Sequence, residues 1–340
     1  MGGEASGLAP LRMLALRLDP SPTLLRDAEE PRVARDEALL GLRLAGVCDT
    51  DLQLARGYMD FRGIPGHEFV AEVLECADSA WVGKRVVGDI NAGCGECEDC
   101  RQRDAHHCER RSVLGILARP GCFAERFALP VRNLVALPAE LPDERAVFAE
   151  PLAAGLHVLD EVRAAGAERV AVLGDGKLGL LTALALAARG VAVTLVGRHE
   201  SKLAIAAERG VATCLETELG PGLDGESAPS GFDLVVEATG NPRGLERALA
   251  LVRPRGTVVL KTTVADPAGL DLAPVVVHEL RLVGSRCGDI AAAVELLASG
   301  AVDPALLVQA RFPLERADEA LERAAQRGTL KVLVEPPTGG

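Results

Sequence analysis

Aromatic residues, long apolar runs and basic residues are all in short supply in this sequence of 340 residues. One Trp, one Tyr and seven Phe leave a core that must be built from Ala, Val and Leu. No apolar run reaches the ~18 residues of a transmembrane helix, so we expect no membrane span. Residues 1–10 lack a basic start and an apolar stretch, so we expect no secretory signal there but a disordered tail.

The net charge and the cysteine content indicate which partners and which cellular compartment to expect. The chain has 37 Lys and Arg against 49 Asp and Glu, a net charge of −12. Such an acidic chain lacks the positive surface that binds phosphate backbones or anionic lipid, so we expect neither nucleic acid nor membrane as a partner. We expect a cytoplasmic protein, where nine cysteines are more typical of metal binding than of disulfides.

The length suggests about two domains, and the sequence pattern changes near Pro151. Before this residue, short apolar runs such as 70–76 are broken by Gly, Pro and charge, which is typical of an irregular β domain. After it, strands alternate with helices, which predicts an α/β domain with a doubly wound parallel sheet. A last strand over 330–335 could return to the first domain.

A glycine-rich turn follows the predicted strand 170–173. It reads Gly-Asp-Gly-Lys-Leu-Gly, and a helix over 178–189 and a second strand over 191–196 come after it. Glycines permit the tight turn, the approach of a pyrophosphate and the close packing of helix on strand, and the helix N-terminus binds the phosphate. The order predicts a dinucleotide site; the alternative is an ordinary glycine-rich turn. The candidate residues are Gly174, Gly176, Lys177, Leu178 and Gly179.

The end of the second strand indicates which dinucleotide binds. An NAD site needs an acid there to accept a hydrogen bond from the ribose, but this chain has Gly197 followed by Arg198. We therefore expect NADP(H) in preference to NAD(H), with His199 and Lys202 assisting Arg198. The alternative is that Arg198 faces solvent or stacks on adenine.

Four cysteines form the most specific motif in the chain. Their spacing is Cys-x2-Cys-x2-Cys-x7-Cys, which suits a tetrahedral zinc with no open position, hence a structural zinc. An iron–sulfur cluster is the alternative, and four unrelated thiols are a third possibility. The predicted ligands are Cys94, Cys97, Cys100 and Cys108.

A second metal constellation is scattered along the chain. Cys48, the pair His67 and Glu68, and Glu150 together offer one thiol, one imidazole and carboxylates, which suit a catalytic zinc with an open position. Spacing alone does not decide this, because a single His is usually structural and a lone Cys often packs as a small apolar residue.

The order of these motifs resembles that of the zinc-containing medium-chain alcohol dehydrogenases. Gly-x-Cys-x-Thr-Asp, Gly-His-Glu, the four-cysteine lobe, Glu-Pro-Leu and the glycine turn follow one another along nearly the whole chain. The Glu-Pro form is most similar to sorbitol, threonine and archaeal glucose dehydrogenases. The resemblance implies a GroES-like β-rich catalytic domain over 11–150 and 287–340, with a zinc lobe at 91–111, and a Rossmann domain over 151–286.

The resemblance also implies the roles of individual residues. Cys48 and His67 would bind the catalytic zinc, with Glu150 or Glu68 as the third ligand. Thr50 would take the substrate proton, and Asp51 would support the site from behind. Gly240 and Arg286 match cofactor-proximal positions, although Arg286 could instead form an interdomain salt bridge.

The implied activity is hydride transfer between NADP(H) and a small alcohol or carbonyl compound, with one catalytic and one structural zinc, in a homodimer or homotetramer. Two alternatives remain open: an enoyl reductase on the same scaffold, and a non-catalytic cofactor-binding relative.

One departure from the family pattern is Ala71, which stands where a Gly is usual. Tyr58, Met59 and Phe61 are candidates for the substrate pocket or ordinary packing residues.

Overall fold

The structure is a computed structural model that describes residues 12–102, 105–219, 231–263, 269 and 271–337. The expected tail over 1–10 lies outside these residues. The chain divides into two compact units: unit 1 comprises 1–136, 310–326 and 332–340, and unit 2 comprises 137–309 and 327–331. Over the described ranges, no helix is both long enough and apolar enough to cross a bilayer.

The strands in chain order are β1 (Arg12–Leu18), β2 (Pro22–Glu29), β3 (Glu37–Gly46), β4 (Glu68–Cys76), β5 (Arg85–Gly88), β6 (Asn91–Ala92), β7 (Ser112–Leu114), β8 (Ala118–Arg119), β9 (Arg126–Pro130), β10 (Leu134–Ala136), β11 (Val170–Leu173), β12 (Val193–Gly197), β13 (Ala212–Leu215), β14 (Phe232–Glu237), β15 (Val252–Leu260), β16 (Arg281–Gly284), β17 (Val308–Pro313) and β18 (Lys331–Glu335).

The α-helices are α1 (Asp49–Ala55), α2 (Glu98–Arg101), α3 (Asp143–Ala146), α4 (Ala149–Leu156), α5 (Val158–Ala165), α6 (Lys177–Ala188), α7 (Glu200–Ala207), α8 (Gly244–Leu251), α9 (Ala273–Val277), α10 (Ile290–Ala298) and α11 (Ala317–Ala325). Short 3-10 helices span Tyr58–Asp60, Ser79–Trp81, Ala105–His107, Val131–Asn133, Glu216–Glu218, Ala305–Leu307 and Leu314–Arg316.

Unit 1 is β-rich, and its main sheet has seven strands. The strand order is β10-β5-β4-β3-β18-β17, and β9 also pairs with β3. The last strand returns to this sheet, because β18 pairs antiparallel with β3 and Leu333 lies opposite Gly46. Buried Leu, Val and Phe side chains of the sheet, with Leu314 and Leu321 from the C-terminal segment, form one apolar core. A small sheet of order β6-β7-β8 lies beside the cysteine lobe in sequence.

Unit 2 contains a six-stranded parallel sheet of order β13-β12-β11-β14-β15-β16. Its strand order reverses at β11, so β11 and the loops after it lie at the position where doubly wound sheets bind dinucleotides. Helix α6 is an Ala/Leu helix buried on nearly all sides, because it lies between this sheet and α4. The predicted fold class, a GroES-like domain with a Rossmann domain, is confirmed.

The division between the units falls at other residues than the sequence suggested. Residues 137–150, 287–309 and 327–331, which we expected in the first domain, cluster with unit 2. The physical reason is helix packing: α10 packs against α3 and α4, and α4 packs against α6. These helices lie before and after the Rossmann strands in sequence, and their apolar faces bury with unit 2.

Candidate active site and metal centres

The four cysteines of the predicted lobe come together in unit 1. The sulfur atoms of Cys94, Cys97, Cys100 and Cys108 all lie within 4.8 Å of one another. The local backbone makes this possible: a Cβ at Gly93 would lie 2.6 Å from Cys100 Sγ, and Gly95 has a φ of +81°. Helix α2 starts directly after Cys97 and presents Cys100.

The electrostatics of this cluster suit a divalent cation. Backbone N–H groups of Glu96 and Cys97 lower the pKa of Cys94 to about 6, and Arg110 Nη2 donates to Cys94 Sγ at 3.3 Å. The pKa of Cys97 is raised to about 12: the N–H of Cys100 lowers it, but burial and the neighbouring thiols outweigh this effect. Thiolates that crowd in this way repel one another, and a tetrahedral Zn²⁺ would relieve that repulsion.

A second group of side chains is organised around Asp51, which is fully buried. Cys48 is the N-cap residue of α1, and its N–H donates to Asp51 Oδ2 at 2.8 Å. The N–H of Gly66 donates to Asp51 Oδ1 at 3.1 Å. His67 Nδ1 lies 3.3 Å from Asp51 Oδ1. One carboxylate therefore fixes the backbones beside both predicted ligands and lies within ion-pair distance of the imidazole.

The remaining donors of unit 1 lie next to this pair. Glu68 follows His67 at the start of β4 and is buried. A side chain on Gly46 would collide with Glu68 Oε2, so glycine leaves room for this carboxylate. The Cys48 thiol donates to Thr50 Oγ1 at 3.7 Å. Unit 1 thus brings together Cys48, Thr50, Asp51 and His67, and Glu68 follows His67 in sequence. Among the described residues, only the four cysteines form a compact group of three or more metal donors.

Charge in this group favours a cationic partner. Burial lowers the pKa of His67, but the charges of Asp51 and Cys48 outweigh burial and raise it well above its ordinary value. Cys122, which was not predicted from the sequence, contacts Glu68: its thiol donates a hydrogen bond to the Glu68 carbonyl at 3.6 Å. Burial, with Asp51 and Glu68, raises the pKa of Cys122. This residue is 54 positions from Glu68, and no local motif marks it.

Glu150 lies in unit 2, in the first turn of α4. There the Glu150 carboxylate interacts electrostatically with the Lys261 ammonium group. Burial lowers the pKa of Lys261 to about 8, while Cys287 and Glu150 act in the opposite direction. Lys261 Nζ donates to the Ala154 carbonyl and to the Arg286 carbonyl, both at 2.8 Å. Lys261 is a second residue that sequence reasoning missed.

The glycine turn of unit 2 has the shape that a dinucleotide requires. Gly174 has a φ of +120°, and a Cβ there would lie 2.5 Å from the Ala238 carbonyl oxygen. A Cβ on Gly179 would collide with the Gly174 carbonyl, so glycine permits the close packing of α6. At Gly176 a Cβ would meet open space, and no side chain caps α6 there. No side chain at this position separates the N-terminus of α6 from a phosphate, so the turn fits a pyrophosphate.

The other predicted cofactor residues are spread around this turn. Lys177 is buried, and Leu178 accepts a hydrogen bond from Thr182 through its carbonyl at 2.8 Å. Gly240 has a φ of +66° with open space on its Cβ side, and its N–H donates to Thr262 Oγ1 at 3.0 Å. Lys202 is half-buried on α7.

The end of β12 differs from the sequence expectation in two respects. The space beside Gly197 holds the side chain of Asp175, the second residue of the glycine turn. Arg198 donates through Nε and Nη2 to the carboxylate of Glu216, and Nη2 lies 3.4 Å from Oε1. Asp175 and Glu216 were not singled out from the sequence, because both contacts join residues far apart in the chain.

Two family models match the chain: an alcohol dehydrogenase GroES-like domain over 34–139, and a zinc-binding dehydrogenase over 178–299. L-threonine 3-dehydrogenase of Coxiella burnetii is 28% identical, covering 94% of this chain and 97% of the relative. The 2-dehydro-3-deoxy-L-galactonate 5-dehydrogenase of Pseudoalteromonas atlantica is 30% identical, covering 82% and 85%. A solved zinc-binding dehydrogenase of Sinorhizobium meliloti 1021, bound to NADP, superimposes with a TM-score of 0.82 at 29% identity, covering 95% and 99%.

Proposed function

The chain belongs to the zinc-containing medium-chain dehydrogenase/reductase family, and we propose that it oxidises a small polyol, sugar acid or amino alcohol, or reduces the corresponding ketone. That it is a dehydrogenase follows from the family; the substrate class rests on the names of its relatives. The observation that carries the proposal is the arrangement around Asp51, which links the backbone of Cys48 to the ring of His67.

Cys48, His67 and Glu68 would hold the catalytic zinc, with Glu150 as the family's alternative third ligand. When bound, zinc supplies Lewis acidity at the alcohol or carbonyl oxygen. Asp51 keeps the His67 ring in one orientation, as carboxylates behind ligating histidines do. In oxidation, Thr50 Oγ1 would accept the alcohol proton while it releases its own hydroxyl proton to solvent, which the half-buried side chain can reach. In reduction the same relay would run in reverse and deliver a proton to the product oxygen.

The second zinc would be structural. Cys94, Cys97, Cys100 and Cys108 supply four thiolates and leave no position for substrate. The free energy of metal binding at such a site contributes to the stability of the lobe rather than to the chemistry.

The dinucleotide would bind at the glycine turn, with its pyrophosphate at the first N–H groups of α6 and Gly240 and Arg286 nearby. We propose a modest preference for NADP(H). It is supported by the cations Arg198 and Lys202, which follow β12, and by the NADP-bound relative. The ion pair of Arg198 with Glu216 keeps the preference small, because it engages the cation that the 2′-phosphate would use.

We propose a cytoplasmic location, because nine free thiols are stable in a reducing compartment. We also propose that the chain assembles into a homodimer or homotetramer. Strand β16 is the last strand at its edge of the sheet. Beside it in sequence, Val276 and Val277 of α9 are 76% and 72% exposed. An edge strand with exposed apolar residues is suited to pairing across a two-fold axis. Sedimentation that finds only monomer at micromolar concentration would contradict assembly.

The test is a substrate panel on zinc-replete protein with NADPH and NADH. The panel should contain polyols, sugar acids, L-threonine, the matching ketones and conjugated enoyl compounds. We expect turnover of a secondary alcohol or its ketone and about two zinc ions per chain. Turnover of enoyl compounds alone would support the reductase alternative, and about one zinc without turnover would support a non-catalytic role.

A further inference from the structure

Asp175 has an unusual place in the glycine turn, because its side chain leaves the turn and reaches the end of β12. Its Oδ2 accepts hydrogen bonds from the N–H groups of Arg198 and His199, both at 2.7 Å. His199 Nδ1 lies 2.9 Å from the same oxygen. Asp175 is only 8% exposed, so this conformation is fixed by packing as well as by three donors.

The position of the carboxylate corresponds to that of an acid on the next strand. In NAD sites of this fold, an acid at the end of the second strand accepts a hydrogen bond from the adenosine ribose. Here that strand ends at Gly197, where a Cβ would lie 2.6 Å from Asp175 Cβ and 2.7 Å from Asp175 Oδ2. No larger residue fits at 197 while Asp175 is in place, and its carboxylate fills the space of the missing side chain.

We propose that Asp175 is the residue that sets dinucleotide selectivity: its carboxylate binds the adenosine ribose hydroxyls of NAD(H) and opposes the 2′-phosphate of NADP(H). This inference rests on the proposed dehydrogenase function and adds a residue that limits the preference for NADP(H). All three donors reach Oδ2, and no donor among the described residues reaches Oδ1. Oδ1 is therefore the acceptor for a ribose hydroxyl.

The same donors explain why the phosphate is opposed. Two backbone N–H groups and an imidazole that converge on one point are a small anion-binding cradle. Asp175 already occupies it with a carboxylate, which the donors keep ionised: burial raises the pKa of Asp175, but the hydrogen bonds from His199 and Arg198 outweigh burial and lower it. A 2′-phosphate must either displace this carboxylate or lie beside it, and like charges at such short range repel.

An acid also limits how strongly Arg198 can attract the 2′-phosphate. Its guanidinium pairs with Glu216, and Arg247 Nε lies 3.7 Å from the same carboxylate. NADP(H) therefore gains the full charge of Arg198 only when Arg198 leaves Glu216. Removing either acid should raise affinity for NADP(H), but only removal of Asp175 should also weaken NAD(H).

The test measures dissociation constants of NADH and NADPH by cofactor fluorescence, which requires no turnover. The variants are Asp175→Asn, with Asp175→Ser as a second variant in case the first does not fold. The control is Asp233→Asn. Asp233 also accepts two backbone N–H groups, from Glu168 and Arg169, and one arginine, Arg253, but it lies where β11 and β14 begin.

We expect either Asp175 variant to shift the ratio of the two dissociation constants toward NADPH by about tenfold or more, and the control to leave it unchanged. A ratio within twofold of the unmodified protein in a folded Asp175 variant would overturn the inference and leave the dehydrogenase function standing. Failure of the unmodified protein to bind either dinucleotide would instead overturn the proposed function, and the inference with it.

Discussion

Asp51 Oδ1 and His67 Nδ1 lie 3.3 Å apart, and both side chains are buried in unit 1. The same carboxylate accepts the N–H of Cys48 and the N–H of Gly66. A single side chain therefore connects the backbone of Cys48, the backbone of Gly66 and the ring of His67. Because a metal site loses affinity when its ligands are misaligned, Asp51 should matter for zinc binding although it is not itself a ligand.

Asp51→Asn is the corresponding prediction. The amide keeps the size of the side chain but loses the charge and one acceptor, so zinc affinity or kcat/KM should fall by about 10–100-fold. Zinc titration with a competing chelator and steady-state kinetics measure the two effects. Dinucleotide binding in unit 2 should remain normal. Full zinc affinity together with full activity in this variant would mean that Asp51 does not position His67.

Cys97→Ser tests the structural role of the four-cysteine cluster. Loss of one thiolate should reduce the zinc content by about one per chain and lower the melting temperature, because binding energy at this site is folding energy. Folded variant protein should keep its kcat on the best substrate. A variant with unchanged melting temperature and unchanged zinc content would refute a structural zinc at this cluster.

Asp233 provides a prediction for how the stability of the protein depends on pH. A hydrogen bond from Arg253 lowers its pKa below the ordinary value, burial opposes this, and the N–H groups of Arg169 and Glu168 lower it further. A carboxyl with a lowered folded-state pKa stabilises the protein above its unfolded value, about pH 4, and this contribution is lost as the pH falls through the folded value. Asp233→Asn should therefore lower the melting temperature at pH 7 by about 2–4 °C, and by clearly less at pH 3. An equal effect at both pH values would show that the ionised form is not the stabilising one.

Local patterns in the sequence predicted much of the fold and part of the site. The cysteine cluster was predictable because four ligands within fifteen positions can close only on one another. The glycine turn was predictable because Gly174, Gly176 and Gly179 each meet a local requirement of the strand–turn–helix unit. The resemblance to a family supplied Asp51, which no spacing rule would have marked.

Other features depend on contacts between distant residues. Asp175 is 23 positions from Arg198, and only the packing of β11 against β12 brings its carboxylate to Gly197. Gly197 was expected to leave the end of the second strand without an acid, whereas the Asp175 carboxylate fills that space. Arg198 was expected to be available to the cofactor, and its pairing with Glu216 depends on the neighbouring strand β13. The unit boundaries depend on the packing of α10 against α3 and α4, which periodicity alone does not reveal.

The central claim is that Cys48 and His67 hold a catalytic zinc, and the most direct measurement is kcat/KM of His67→Ala on the best substrate from the panel. We predict a loss of at least about a thousandfold, since the variant lacks a ligand of the metal that acts on the reacting oxygen. The variant should still bind NADPH with normal affinity and retain the zinc of the cysteine cluster, because both sites are built from other residues. A kcat/KM within a fewfold of the unmodified enzyme would contradict the account.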